Sequence, residues 1–361
     1  MRKVIFGITN LNLGGAERVL VDICNKLCKK YDITILTIYP HGEFEKELKK
    51  EIHVKSIYNY KYEEITKSKK VISVIKLLFL KRIYFKKYIK NKFDVEVAFL
   101  EGPITNLFSV GDKTEKFAWI HNDISLVFGN SFKAKIKKFV NKRIYQKYDK
   151  LIFVSQDNLK KFEQTYNIEI PTSVIYNYID IETILEKAKE TISLDNTIIN
   201  FLSVARLVEQ KGIDRLIDVH KKLIQDGFEH RIYIVGDGPL KEYLTEKIKS
   251  LNLQNTFILL GKQENPYPYV QACTYFCLLS HFEGYGMVLE EAKILGKPII
   301  ITDTAAREAV ANYRNAKILE NSFDGIYKGL KETILNNKEY VIEKENYNNG
   351  YIIEQIEQIL K

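Results

Sequence analysis

The densest chemistry in the chain lies in Ser280–Thr302, SHFEGYGMVLEEAKILGKPIIIT. A strand ends there, Glu283-Gly284-Tyr285-Gly286 forms a loop, and a helix begins near Met287. The glycines let the main chain approach a ligand, and the first-turn N–H groups are free donors for phosphate or sugar hydroxyls. Glu283 and Glu291 stand eight residues apart, one in the loop and one about a turn into the helix, so both can reach one ligand. A carboxylate in such a place suits a ribose diol, from which it accepts two hydrogen bonds. Glu290, next to Glu291, points elsewhere.

Two cations stand upstream in SVARLVEQKG: Arg206 directly after a strand, and Lys211 five residues later before a helix at Ile213. A planar fork and a point charge at the end of a strand suit a diphosphate, although surface cations in pairs are common. VGDGPL, ending at Leu240, is a glycine turn between strand and helix and reads as mainly structural. The first strand–helix turn holds Gly14 and Gly15 in NLGGAER, a spacing that differs from the G-x-G-x-x-G of dinucleotide sites. His121, in WIHND, reads by itself as a buried histidine bonded to a carbonyl.

Elements that position these residues alternate along the whole chain. KVIFGI, DITILTIY, DVEVAFL, KFAWIH, KLIFVS and TSVIYN read as buried strands, then IINFLSVA, RIYIVG, TFILLG, TYFCLLS, KPIIIT and AKILE. Helices are predicted from near Ala16, Glu64, Pro103, Lys133 and Gln156, and from Ile213, Leu240, Met287 and Phe323. Such alternation implies doubly wound parallel sheets in α/β domains. It breaks at 178–197, a polar stretch read as the linker. The expected domains are therefore 1–178, 179–344 and a final amphipathic helix, 345–361, with Ile352, Ile356, Ile359 and Leu360 on one face, returning to the first domain.

The 361 residues are 45% hydrophobic and 28% charged, a globular composition that excludes disorder and fibrous folds. Apolar runs are too short to span a bilayer, and Val4–Ile8 reads as a first strand rather than a signal peptide. Cys24, Cys28, Cys273 and Cys277 read as buried thiols rather than zinc ligands, in keeping with a cytoplasmic protein.

Charge divides unevenly. Residues 1–179 carry 33 Lys/Arg against 19 Asp/Glu, and residues 180–361 carry 22 against 27. Ile65–Phe93 holds ten basic residues and no acid, and Lys133–Lys150 holds eight basic residues and one acid. In the first stretch Val71, Ile75, Leu78, Phe85 and Ile89 recur at helical spacing among Lys76, Lys81, Arg82, Lys86 and Lys87. This is either a basic amphipathic surface for an anionic membrane, or a core helix with a lysine-rich solvated face. No nucleic-acid motif accompanies the charge.

Taken in order, GGAER, His121 in WIHND, the Arg-x4-Lys of RLVEQKG, GDGPL, and Glu-x7-Glu in EGYGMVLEEA before LGKPII resemble the retaining GT-B glycosyltransferases of family four, the glycosyl transferases group 1. The match runs through nearly all the chain, and Glu-x7-Glu is its specific part. The resemblance implies two Rossmann-like domains facing a central cleft, the first for acceptor and the second for a nucleotide-sugar, a UDP-sugar foremost. It implies that Gly15 backs the donor phosphates or the acceptor, and that His121 bonds the donor sugar and steadies a developing oxocarbenium. Arg206 and Lys211 would neutralise the leaving diphosphate. Glu283 and the amides of Gly284, Tyr285, Gly286 and Met287 would hold the sugar and phosphate, and Glu291 the ribose. No metal or other cofactor is implied, and the Asp-x-Asp of metal-dependent GT-A enzymes is absent from the sequence. After PIIIT the family's Gly-Gly and glutamate are replaced by Asp303-Thr-Ala-Ala-Arg307-Glu308, so no donor contact is assigned there.

The reading is a retaining transferase of bacterial polysaccharide or surface-glycan synthesis, such as capsule, with a polyprenyl-diphosphate-linked acceptor at the cytoplasmic face of the inner membrane. The alternatives are a transferase for a soluble or protein acceptor and a non-catalytic GT-B partner subunit.

Overall fold

The computed structural model describes residues 1–12, 14–111, 114–122, 132–192, 194, 195, 197–336 and 349–361, with backbone alone at 132–134. The chain divides into two units, Met1–Ile179 with Asn348–Lys361, and Asp180–Tyr347.

The first unit is built on a 7-stranded sheet: β1 (Arg2–Ile8), β2 (Tyr31–Thr37), β3 (His53–Ser56), β4 (Val95–Ala98), β5 (Glu115–Ile120), β6 (Lys150–Phe153) and β7 (Thr172–Val174). Their order is β3-β2-β1-β4-β5-β6-β7, every pair parallel. The second unit holds β8 (Asn200–Val204), β9 (Arg231–Val235), β10 (Phe257–Gly261), β11 (Tyr275–Leu278), β12 (Ile299–Thr302) and β13 (Ala316–Leu319), in the order β10-β9-β8-β11-β12-β13 and again parallel throughout. Each sheet reverses direction once, between β1 and β4 and between β8 and β11. In doubly wound sheets the carboxyl ends at this reversal are where ligands sit.

Central strands such as β4, β11 and β12 are buried at every position, as strands covered on both faces must be. β3 was not predicted: HVKS is an exposed edge strand and carries no apolar run. The stretch read as a linker also differs from expectation, because it contains a helix, Ile181–Lys187, belonging to the second unit. Asp180 caps it, accepting from Thr183 N at 3.3 Å and from the Thr183 hydroxyl at 2.9 Å, and Ile184 is buried.

The helix Gly350–Leu360 belongs to the first unit. Ile352, Ile353, Ile356 and Leu360 are buried, Ile353 taking the place expected of Ile359. Arg2 Nη1 donates to the Leu360 carbonyl at 3.0 Å and Asn349 Nδ2 to the Ile179 carbonyl at 2.6 Å.

The glycines of VGDGPL are needed for packing. Gly236 has φ 146°, and a Cβ there would lie 1.9 Å from the Ala205 carbonyl oxygen. A Cβ on Gly238 would lie 2.5 Å from the Leu207 carbonyl oxygen. The turn after β9 therefore presses against the segment that carries Arg206. The four cysteines are free and buried, and burial pushes the thiols of Cys24, Cys273 and Cys277 above their ordinary range.

Candidate active site

In the second unit the carboxyl ends of β8 and β11, the two strands flanking the reversal, carry Arg206, Lys211 and Glu283. Arg206 is exposed, and its guanidinium has no bond with a described residue. Lys211 ends a short 3-10 turn, Glu209–Lys211, which Gly212 closes with φ 61°. That turn is bolted to the end of β11: His281 N donates to the Gln210 carbonyl at 2.9 Å, and Gln210 Nε2 to the Phe282 carbonyl at 3.0 Å. Arg215 Nη2 bridges the Leu279 carbonyl at 3.0 Å and Asn321 Oδ1 at 2.9 Å. His281 thus acts through its main chain, as a structural residue.

This scaffold brings the Lys211 ammonium onto Glu283 Oε1 in an ion pair. Ser280 Oγ donates to the same oxygen at 2.6 Å, and Glu283 is only 7% exposed. Two residues 72 positions apart in sequence therefore share one charge-assisted contact. Beyond Glu283, Gly286 adopts φ 79° and precedes the helix Met287–Ile294, so the chain enters the first turn in a conformation that favours glycine. Tyr285 does not offer a loose hydroxyl: it donates to Glu290 Oε1 at 2.7 Å, and Lys293 pairs with Glu290 at 2.7 Å. Glu290 is buried and holds the loop to the helix. Glu291 remains partly exposed and accepts from the Tyr267 hydroxyl at 3.4 Å. Tyr267 was not singled out in the sequence; its short helix, Tyr267–Ala272, follows Pro266 in NPYPYV.

In the first unit Gly15 opens the helix Gly15–Leu27, and Glu17 sits in its first turn. Arg18 of GGAER is a structural residue, bidentate to Glu47 at 2.9 and 2.9 Å and stacked 4.1 Å from the Phe44 ring centroid. His121 directly follows β5. Its ring lies 4.8 Å from Phe99, is bonded to the Phe99 main chain, and leaves Nε2 buried without a partner among the described residues. Burial pushes its pKa down to about 3, so the ring is neutral at pH 7. With one ring nitrogen donating to a carbonyl, Nε2 is a hydrogen-bond acceptor. The expected help to an oxocarbenium cannot come from imidazolium charge; this ring offers a lone pair.

Family models match the chain in two consecutive segments, Glycosyltransferase Family 4 over residues 13–183 and Glycosyl transferases group 1 over residues 185–349. A Campylobacter jejuni protein named N-acetylgalactosamine-N,N'-diacetylbacillosaminyl-diphospho-undecaprenol 4-alpha-N-acetylgalactosaminyltransferase is 30% identical over 351 residues, 94% of this chain and 92% of its own. The chain belongs to the glycosyl transferases group 1.

A second Campylobacter jejuni relative of this transferase, GalNAc-alpha-(1->4)-GalNAc-alpha-(1->3)-diNAcBac-PP-undecaprenol alpha-1,4-N-acetyl-D-galactosaminyltransferase, is 27% identical over 96% of this chain and 90% of its own. The crystal structure of Anabaena HepE with UDP and glucose matches with a TM-score of 0.75 at 18% identity, covering 100% of this chain and 99% of that one. The transferase therefore has the GT-B fold, with both sheets parallel as expected.

The basic stretch of the transferase is organised differently from its sequence pattern. It forms two helices, Lys67–Phe79 and Lys81–Tyr88, broken at Leu80. The break rotates the apolar stripe: Phe85 and Ile89 are buried, whereas Val71, Ile72, Ile75, Leu78, Phe79 and Ile83 face solvent, Phe79 at 84% exposure. The inward side of the first helix is instead Ser73 and Leu77. Tyr58 donates to the Ser73 carbonyl at 2.7 Å, and Tyr60 shares a 2.7 Å hydrogen bond with the Ser73 hydroxyl. Lys76, Arg82, Lys86 and Lys87 are exposed beside the outward residues. Lys81 is not: its Nζ donates to Asn106 Oδ1 at 2.7 Å, and burial lowers its pKa. A second helix of like kind, Phe132–Tyr145, exposes Ile136, Phe139 and Val140 among Lys135, Lys137 and Lys138. Among the described residues no helix is long and apolar enough to cross a membrane.

Proposed function

We propose that this transferase moves a sugar from a nucleoside-diphosphate sugar, UDP foremost, onto a polyprenyl-diphosphate-linked glycan with retention of configuration, in bacterial glycan synthesis. The observation that carries the donor half is the Lys211–Glu283 pair, together with Arg206, whose guanidinium has no partner among the described residues, and the helix starting at Met287. Cations and helix N-termini can neutralise a departing diphosphate without a metal, so none is required in this reading. The second unit takes the donor, with Glu291 on the ribose and the amides of Gly284, Gly286 and Met287 on phosphate and sugar. The first unit takes the acceptor, and His121 Nε2 accepts a hydrogen bond from a hydroxyl of the transferred sugar. The bond from the anomeric carbon to the diphosphate breaks, the acceptor oxygen bonds that carbon on the same face, and its proton passes to the leaving phosphate oxygen.

The acceptor half is supported by the names of the two Campylobacter relatives, both of which specify an undecaprenol diphosphate. The test is nucleoside-diphosphate release from UDP-, GDP- and ADP-sugars in EDTA. Metal-independent release from one donor, lost in Glu291→Ala, is the expected result. Silence across the panel, without thermal stabilisation by any nucleotide, would favour a non-catalytic partner.

The exposed apolar and basic helices of the first unit favour peripheral contact with an anionic membrane on its cytoplasmic face. Each Lys or Arg near such a surface contributes about 1 kcal/mol, screened by salt. Co-sedimentation with phosphatidylglycerol vesicles is expected at low salt and is weakened in Phe79→Ser/Ile83→Ser. Equal sedimentation with neutral and anionic vesicles, or none with either, would remove the membrane from this reading.

A further inference from the structure

The main chain leaves the sheet at His121, the first residue after β5, and its amide has no strand to bond. Glu101 supplies the partner. One oxygen, Oε1, accepts from His121 N at 2.8 Å and from Asn122 N at 2.7 Å, while Oε2 accepts from Asn122 Nδ2 at 3.0 Å. On the other side of the same residue, Asn158 Nδ2 donates to the His121 carbonyl at 3.2 Å. Asn158 is itself buried in the first turn of the helix Gln156–Tyr166, whose cap, Ser155, accepts from Asn158 N at 3.1 Å. His121 is thus gripped at its N–H and at its C=O, and its ring is seated on Phe99, which packs against Trp119 at 5.0 Å between centroids. The end point of this clamp is a buried ring nitrogen with no partner among the described residues.

We infer that Glu101, which follows β4, the neighbour of β5, is a positioning residue: its carboxylate fixes the His121–Asn122 main chain and thereby aims the His121 Nε2 lone pair at a sugar hydroxyl. The inference rests on the proposed role of His121. Three charge-assisted hydrogen bonds on one carboxylate hold a turn far more rigidly than water does. Burial pushes the Glu101 carboxyl upward, and the Asn122 and His121 amides pull it back, as fits a carboxylate retained for its acceptor geometry. A group acting only through His121 has a distinct kinetic signature, because an acceptor misplaced by an ångström costs rate more than binding.

Glu101→Ala is expected to lower kcat about 10-fold or more, with donor KM changed by less than about 2-fold. Glu101→Gln, which keeps an acceptor oxygen, regains most of that loss. Glu101→Asp, which withdraws the carboxylate by one methylene, behaves like alanine and remains available if alanine does not fold. Glu101→Ala/His121→Ala is no slower than His121→Ala alone; a double variant slower by the full Glu101→Ala factor overturns the proposal. A readout independent of turnover separates this claim from the transferase reading. In 15N-histidine spectra of the unliganded protein, His121 shows one Nδ1–H tautomer, and Glu101→Asp averages the two ring nitrogens. An unchanged single tautomer in that variant overturns the proposal even where no donor is turned over.

Discussion

Lys211→Met is expected to slow sugar transfer by about 10²- to 10³-fold, the loss typical when one preorganised charge on a developing anion is removed. Lys211 is the Glu283 ammonium partner, and Ser280 gives that carboxylate its other hydrogen bond. The substitution therefore removes the point charge proposed for the diphosphate and also leaves a carboxylate that is 7% exposed without its cation. The second effect costs stability, on the order of 1–3 kcal/mol for a buried acceptor stripped of its partner. The two effects separate in the double variant Lys211→Met/Glu283→Gln. With no stranded charge its melting temperature returns toward wild type, while transfer stays slow. Recovery of both together would make the pair a structural contact and end its catalytic assignment.

Acid is expected to unfold the second unit well before ordinary carboxylate titration would. His220 and His230 are wholly buried and share one hydrogen bond, His220 Nδ1 to His230 Nε2 at 2.8 Å. His230 Nδ1 bonds the Phe228 carbonyl at 2.8 Å, so it carries a proton, His230 Nε2 accepts, and His220 Nδ1 donates. His220 Nε2 is then an acceptor for the Thr256 hydroxyl at 2.9 Å. The rings of Phe201 and Phe257 flank the pair. Burial pushes the pKa of His220 to about 3 and that of His230 to about 4, against about 6.5 for an unfolded histidine. Both values are depressed, so the unfolded chain binds protons that the native state does not. The contribution is complete above pH 6.5 and is lost as pH falls toward 4, at about 1.4 kcal/mol per histidine per pH unit. For a domain of about 5–15 kcal/mol this is a large share. Thermal melts followed by far-ultraviolet circular dichroism from pH 7 to 4.5 measure it. Tryptophan fluorescence does not, since the single tryptophan, Trp119, belongs to the first unit. His230→Asn should flatten the slope, and a melting temperature constant over that range in the wild type would sink the argument.

Much of the candidate site was legible in the sequence. Arg206, Lys211, Glu283 and Glu291 stand in local patterns of glycine, strand end and helix start that a linear reading detects. The sheets were equally legible, because a strand buried on both faces must be written as a short apolar run; only β3, exposed and polar, escaped. The helix at Ile181 escaped for a related reason. It is seven residues long and mostly polar, and its one clear signal is a local cap, Asp180 to Thr183.

The basic helices show where pattern fails. Val71, Ile75 and Leu78 have helical spacing, and the usual inference is that such a stripe faces the core. Ser73 is inside instead, because Tyr58 and Tyr60, thirteen and more residues away, supply the hydrogen bonds that make a hydroxyl and its carbonyl acceptable there. Only the fold puts those partners in reach.

By itself the sequence determined most of the element types, the two parallel sheets, the family, and which local segments carry cations, carboxylates and glycines. Each of these is encoded by neighbours within a turn or a strand. The tertiary structure alone decided that Lys211 is held by Glu283, that Tyr285 serves Glu290, that Lys81 turns inward, and that His121 is neutral and clamped by Glu101. Apart from Tyr285 and Glu290, five positions apart, those outcomes depend on contacts between residues tens of positions apart, and on burial, which sets a histidine's charge and has no signature in the residues beside it.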